Sequence, residues 1–407
     1  MKLYPNLVKA ISEALEEIFT KGEYADVVVE RTLKKDARWG SRDRKFIAGY
    51  IYDIVRWHRL FKACLTDEQQ SNNLNYSLFA VAHILKGFEL PLWDEFSSID
   101  AIQVQALYKK NIQIRKIKNS LPDWLDNLGV EQFGEKIWEK EIEFLNQEAE
   151  VYIRANTLKI SDSKLQTELL KENVEIIPTI DALFNLDKKN IPQRIAKRQR
   201  LQQLASYKDG LFEIQDAASQ LVAPYLQLKP GMKVIDACAG AGGKTLHIAC
   251  LMENKGSILA MDAAPKKLEE LERRAQKAGV RIINTAVAGT QEVMKHKESA
   301  DRLLLDVPCS GLGVLRRNPD AKWKLNFEFI EEVQKIQAEI LQNYSIMLKP
   351  GGLMVYATCS ILPIENQNQI QTFLNNNVGK FEFIDQQSIM PSQGYDGFYM
   401  ACLKKVQ

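Results

Sequence analysis

Five short apolar runs punctuate the chain beyond residue 210: KVIDAC, SILAMD, RIINTAV, RLLLDV and LMVYAT, with helical patterns between several of them. Such strand–helix alternation predicts an α/β domain with a mostly parallel sheet, because parallel neighbours need a crossover between them. Ligands of these sheets lie at the carboxyl ends of the strands. Asp236, Asp262, Asp306 and the pair Thr358–Cys359 all stand at or just past the ends of these runs. One edge of the sheet is therefore expected to carry the chemistry.

The chain before this region reads differently. MKLYPNLVKAISEALEEIF predicts an amphipathic helix with Leu7, Ile11, Ala14, Leu15 and Ile18 on its apolar stripe, not a cleaved leader. RKFIAGYIYDIVRWHRLF puts Phe46, Tyr50, Ile51, Ile54 and Val55 on one broad face. Pro122 closes an all-helical part, 1–122. A mixed segment, 123–207, follows: helical EKIWEKEIEFLNQEA, strand-like VYIRANTLKI, a helix over about 161–172, strand-like VEIIPT, and a basic connection from 188 containing Pro192. Residues 208–407 form the α/β domain.

A composition of 45% hydrophobic and 26% charged residues is that of a soluble globular protein, and no apolar run is long enough to span a bilayer. A cytoplasmic protein without a membrane partner is expected. Six cysteines without C-x-x-C spacing and four histidines without paired spacing argue against a metal site or a disulfide framework. Net charge of +2 says nothing of nucleic acid. Two basic clusters say more: Lys109, Lys110, Arg115, Lys116 and Lys118, then Lys188, Lys189, Arg194, Lys197, Arg198 and Arg200. Each reads either as a solvated face or as part of an RNA track.

The loop DACAGAGGKT, Asp236 to Thr245, raises the question of its ligand. Gly243, Lys244 and Thr245 match the end of a phosphate loop, G-x-x-x-x-G-K-S/T, but its first glycine would be Cys238. The dinucleotide fingerprint fails at Thr245. The remaining candidate is S-adenosylmethionine, which carries no phosphate and whose methionine part a glycine loop can approach closely. Asp262 then reads as the acid that takes the ribose hydroxyls; the plainer reading is a helix cap before AAPKKLEELERRA.

Cys309 in RLLLDVPCSGLG and Cys359 in MVYATCSILPIEN follow strands and border small residues, whereas Cys64, Cys250 and Cys402 read as small buried hydrophobes. With DVPCS (306–310), TCS (358–360) and CAGAGGK (238–244), the chain resembles the RsmB/Nop2/Sun family of RNA cytosine-C5 methyltransferases. QDAASQLVAPYL (215–226), DGFYMACLKK (396–405) and IRANTL (153–158) also resemble family segments, and LRRNPDAKW (315–323) looks most like its rRNA-modifying RsmB branch.

The resemblance implies a Rossmann-like class I methyltransferase domain, preceded by a NusB-like all-α domain and a small α+β, RRM-like segment. It implies S-adenosylmethionine as cofactor, held by Cys238, Ala239, Gly240, Ala241, Gly242, Gly243, Lys244, Asp262 and Asp306. Cytosine C5 is a poor nucleophile until a thiolate adds to C6. The resemblance makes Cys359 that nucleophile and Cys309 the group assisting release; the nearby sulfonium charge or Lys244 is then expected to favour the thiolate, and Asp306 to hold the cytosine edge. The target base is then single-stranded or flipped out. Two positions depart from the family pattern: Ala241 replaces a proline, and Ala288 replaces an aspartate near the adenine. The implied substrate is 16S rRNA and the expected state a monomer; a tRNA cytosine-C5 methyltransferase and a non-catalytic, RNA-binding ribosome assembly factor are the alternatives.

Overall fold

A computed structural model describes residues 3–71, 73–179 and 191–407, and the chain divides into two compact units. The first is all-helical and runs to Gln147, with Leu315–Phe327 added from later in the chain. Its first helix, Pro5–Phe19, starts on a proline, where the missing amide hydrogen costs nothing. The predicted stripe Leu7, Ile11, Ala14, Leu15 and Ile18 is buried against helices Ser41–Arg56 and Leu74–Leu85.

The expected boundary at 122 moves to 147. Pro122 does not end the helical part; it caps the start of the next helix, Asp123–Phe133, which pairs with Glu135–Leu145. Trp138 is the reason these two helices belong together. It is buried, its indole donates to Asp126 at 2.9 Å, and it lies so close over Gly129 that an added Cβ there would sit 2.1 Å from the ring.

The 315–327 segment was also expected in the α/β domain, and its side chains explain why it belongs elsewhere. Asp320 accepts from the Ala25 amide at 3.0 Å, capping the start of helix Ala25–Lys34. Lys322, fully buried, donates to the Arg56 carbonyl at 2.8 Å and to Asn146 at 3.1 Å. The Trp323 indole donates to the Val55 carbonyl at 2.7 Å.

The second unit comprises Glu148–Val314 and Glu328–Gln407. It contains a four-stranded antiparallel sheet in the order β2-β3-β1-β4, from β1 (Tyr152–Ala155), β2 (Ile176–Pro178), β3 (Gln193–Ile195) and β4 (Phe212–Ile214). The presumed basic connection thus holds a strand: Gln193 and Ile195 are buried while Arg194 between them reaches outward, the two-residue period of a half-buried strand. Lys188 and Lys189 lie outside the described residues.

The larger sheet has seven strands: β5 (Lys233–Asp236), β6 (Ser257–Asp262), β7 (Ile283–Val287), β8 (Ala300–Asp306), β9 (Leu348–Thr358), β10 (Phe381–Ile389) and β11 (Phe398–Lys405). Their order is β10-β11-β9-β8-β5-β6-β7, with β5 to β9 parallel and β11 antiparallel to both of its neighbours. All five runs read from the sequence are the parallel strands. The chain builds outward from β5 on one side and then returns to start β8 on the other, so the crevice between the ends of β5 and β8 is the topological switch point. Among the described residues no helix is long and apolar enough to cross a membrane.

Candidate active site

Parallel register brings the predicted acids to one edge. Asp236 ends β5 opposite Leu304, Asp262 ends β6 opposite Val287, and Asp306 ends β8 opposite Ala357, one residue short of Thr358 at the end of β9. At that edge opens a cavity of about 1040 Å³, lined by Cys238, Gly240, Asp262, Ala288, Asp306 and Pro308, with Val293, Ile340 and Tyr344 on its apolar side.

The glycine loop lies between β5 and the helix Gly243–Leu251. Gly240 and Gly242 both take left-handed backbone angles, φ of 54° and 87°. At Gly242 a side chain is doubly excluded, because a Cβ would also lie 2.6 Å from Leu271. Ala239 is buried, with its amide on the Met261 carbonyl at 2.8 Å. The Ala241 carbonyl accepts from Arg274 at 2.6 Å, and Arg274 is held by buried Glu213 at 2.6 Å. An arginine thus braces the position where the family pattern has proline. Arg154 of the IRANTL segment bonds the Gly243 carbonyl at 3.4 Å, and Asn156 ties the Gly210 and Ala278 carbonyls, each at 2.8 Å.

Asp262 makes the helix-cap bond and also lines the cavity. Its Oδ1 accepts from the Ala264 amide at 2.8 Å, at the start of helix Pro265–Ala278, while its Oδ2 accepts from the Gly240 amide at 2.9 Å and faces the cavity. A carboxylate oxygen has a second lone pair, so one bond to Gly240 leaves acceptor capacity for a ligand.

Lys244 and Asp306 form an ion pair at 2.6 Å, both largely buried, and the Phe398 ring lies 5.1 Å from the ammonium. Burial alone would lower the lysine pKa, but the Asp306 carboxylate outweighs it and the net shift is upward, so Lys244 is a cation throughout neutral pH. The sulfur atoms of Cys309 and Cys359 are 3.3 Å apart, and both residues are half-buried. The hydrogen bond to Cys359, then burial, push the Cys309 thiol well above its usual range. Cys64, Cys250 and Cys402 are buried and apart from this pair. Among the described residues no cluster could hold a metal.

The comparisons agree with this assembly. A family model described as 16S rRNA methyltransferase RsmB/F matches residues 223–404. A protein of Synechocystis sp., "Probable ribosomal RNA small subunit methyltransferase B", is 30% identical over 96% of this chain and 97% of its own length. The chain belongs to the RsmB/F family of 16S rRNA methyltransferases. "Ribosomal RNA small subunit methyltransferase B" of Pasteurella multocida is 35% identical over 70% of this chain and 65% of its own. Among solved structures, PH0851 matches over 100% of both chains with a TM-score of 0.80 at 24% identity, a likeness of fold. NSun6 from Pyrococcus horikoshii with SFG covers 71% of this chain and 99% of its own, with a TM-score of 0.62 at 22% identity. As an RsmB/F member the protein is an S-adenosylmethionine-dependent RNA (cytosine-5-)-methyltransferase.

In this RsmB/F chain several expected residues serve the loop rather than the cavity wall. Cys238, Gly240, Asp262 and Asp306 line the cavity; Ala239, Ala241, Gly242, Gly243 and Lys244 shape the turn or stand behind it. Among the described residues, five members of the basic clusters are held in internal pairs: Arg115 to Asp126 and Glu135, Lys116 to Asp123, Lys118 to Glu143, Arg194 to Glu150 and Arg198 to Glu148. Thr245, read from the sequence only as part of a phosphate-loop pattern, donates to Asp236 at 2.7 Å, and the buried Glu365 behind the two cysteine loops was not singled out at all.

Asp236 is fully buried, and burial raises its pKa to about 7. The native state therefore binds a proton that the unfolded chain releases above pH 4, so stability declines as pH rises from about 4 to about 7, by up to about 1.4 kcal/mol per unit. Asp236→Asn is expected to flatten that slope in urea unfolding measured across this range. An unchanged slope would assign it to other groups.

Proposed function

We propose that the protein forms 5-methylcytosine in 16S rRNA by covalent catalysis through Cys359. The observation that carries this reading is the thiol pair at 3.3 Å beside the Lys244–Asp306 ion pair, at the ligand edge of the sheet. Asp262 and the Gly240 backbone fit the ribose and amino-acid ends of S-adenosylmethionine, and the wall of Ala288, Val293, Ile340 and Tyr344 fits an adenine. The solved relative NSun6 with SFG supports the same choice of cofactor. When bound, S-adenosylmethionine supplies an electrophilic methyl group.

The residues of the chain divide the remaining work. The Cys359 thiolate adds to C6, the sulfur–carbon bond forming as the C5–C6 π pair becomes available for attack from C5. Lys244 places a fixed cation that interacts with Cys359. Asp306, at the crevice between β5 and β8, accepts from the cytosine edge and favours a proton on N3. Once C5 carries the methyl, Cys309 assists removal of the C5 proton; the electron pair left behind restores the C5–C6 double bond and expels Cys359.

Purified protein given S-adenosylmethionine and 16S rRNA tritiated at cytosine C5 is expected to release one tritium to water per methyl incorporated. Methyl incorporation without tritium release would place the reaction at another atom. Asp262→Ala is expected to weaken S-adenosylmethionine binding by about 10-fold or more, the value of one or two charge-assisted hydrogen bonds, while RNA affinity changes little. Parallel loss of both affinities in a folded variant would remove the ribose role.

A further inference from the structure

Glu365 lies in the short turn Pro363–Glu365 and is fully buried, yet among the described residues no cation pairs with it. A buried carboxylate is costly unless hydrogen bonds replace its hydration. Here four donors do so. Oε1 accepts from the Ser310 amide at 2.7 Å and from Gln337 Nε2 at 3.1 Å; Oε2 accepts from Ser310 Oγ at 2.5 Å and from Ser360 Oγ.

Ser310 follows Cys309, and Ser360 follows Cys359. Their hydroxyls in turn accept from the Leu312 amide at 3.3 Å and the Leu362 amide at 3.1 Å, so both serines relay backbone donors toward the carboxylate, and the two hydroxyls lie 3.2 Å apart. Gln337 also donates to the Pro308 carbonyl at 3.0 Å, and the Tyr356 hydroxyl donates to the Glu365 carbonyl at 2.6 Å. One anion thereby joins the two loops whose sulfur atoms are 3.3 Å apart.

We infer that Glu365 is a positioning residue: its carboxylate clamps the Cys309 and Cys359 loops together and so holds the two sulfur atoms in place. The clamp also brings charge to the pair. The Lys244 cation interacts with Cys359, whereas the Glu365 anion, after Cys359 itself and burial, adds to the upward shift at Cys309.

The inference rests on the two-thiol reading of the reaction. Glu365→Gln preserves volume but cannot accept from all four donors. Its single-turnover methyl transfer is expected to fall about 10²-fold, as displacements of an ångström do, while S-adenosylmethionine affinity stays within about threefold. Iodoacetamide labelling at pH 8, read by peptide mass spectrometry, is expected to shift toward Cys309 by about tenfold relative to Cys359 once the anion is gone. A single-turnover rate within about threefold of wild type, or an unchanged labelling ratio, overturns the inference. Should Glu365→Gln fail to fold, the Ser310→Ala/Ser360→Ala variant carries the same expectation for the rate, and a wild-type rate there overturns it equally. Full activity of Cys359→Ala would sink the underlying reading, whereas an inactive Cys359→Ala beside a normal Glu365→Gln sinks this inference alone.

Discussion

Cys359→Ala is expected to lose methyl transfer by on the order of 10⁴-fold or more, because no other group near C6 can make C5 a nucleophile. The companion expectation separates the two thiols. Cys309→Ala leaves Cys359 able to attack but impairs release, so a protein–RNA adduct should accumulate and appear as a retarded band in denaturing gels. The Cys309→Ala/Cys359→Ala double variant should show no such band. An adduct in the double variant, or one formed by Cys359→Ala alone, would reverse or remove the assigned roles. With the two sulfur atoms only 3.3 Å apart, the adduct pattern of the variants is what tells the attacking sulfur from its neighbour.

The second large effect concerns the Lys244–Asp306 pair. Lys244→Met leaves a carboxylate in a largely buried site without its cation, and is expected to destabilise the fold by about 2 kcal/mol, less than a fully enclosed pair because Asp306 is partly exposed. Methyl transfer should fall about 10²- to 10³-fold through lost electrostatic support of the thiolate. Lys244→Met/Asp306→Asn should recover most of the stability and none of the activity. Urea unfolding and single-turnover assays of Lys244→Met, Asp306→Asn and the double variant decide the matter. Additive stability losses would show that the two side chains are not energetically coupled.

The parallel strands were legible because each is an apolar run bounded by turn residues, and because such strands place their functional residues at one end. That alone put Asp236, Asp262, Asp306 and Cys359 on a common edge. β10 escaped notice for the opposite reason: it is an edge strand with mostly exposed residues and no alternation to read. The helical boundary was misplaced because Pro122 signals a stop and a start equally well, and the start prevailed once Trp138 had a core to enter.

Residues 315–327 followed the cysteine loop in sequence, so nothing local showed that Asp320, Lys322 and Trp323 would find partners near residues 25 and 55. Glu365 was hidden similarly. A glutamate after proline and isoleucine looks like any surface acid, and only the convergence of two loops gives it four donors.

The most direct test of the account is nucleoside mass spectrometry of 16S rRNA and tRNA from cells lacking the gene, complemented with the wild-type protein or with Cys359→Ala. The account predicts that 5-methylcytosine returns at one position of 16S rRNA with wild type only, and that tRNA is unchanged. Restoration by Cys359→Ala, or a change confined to tRNA, would contradict it.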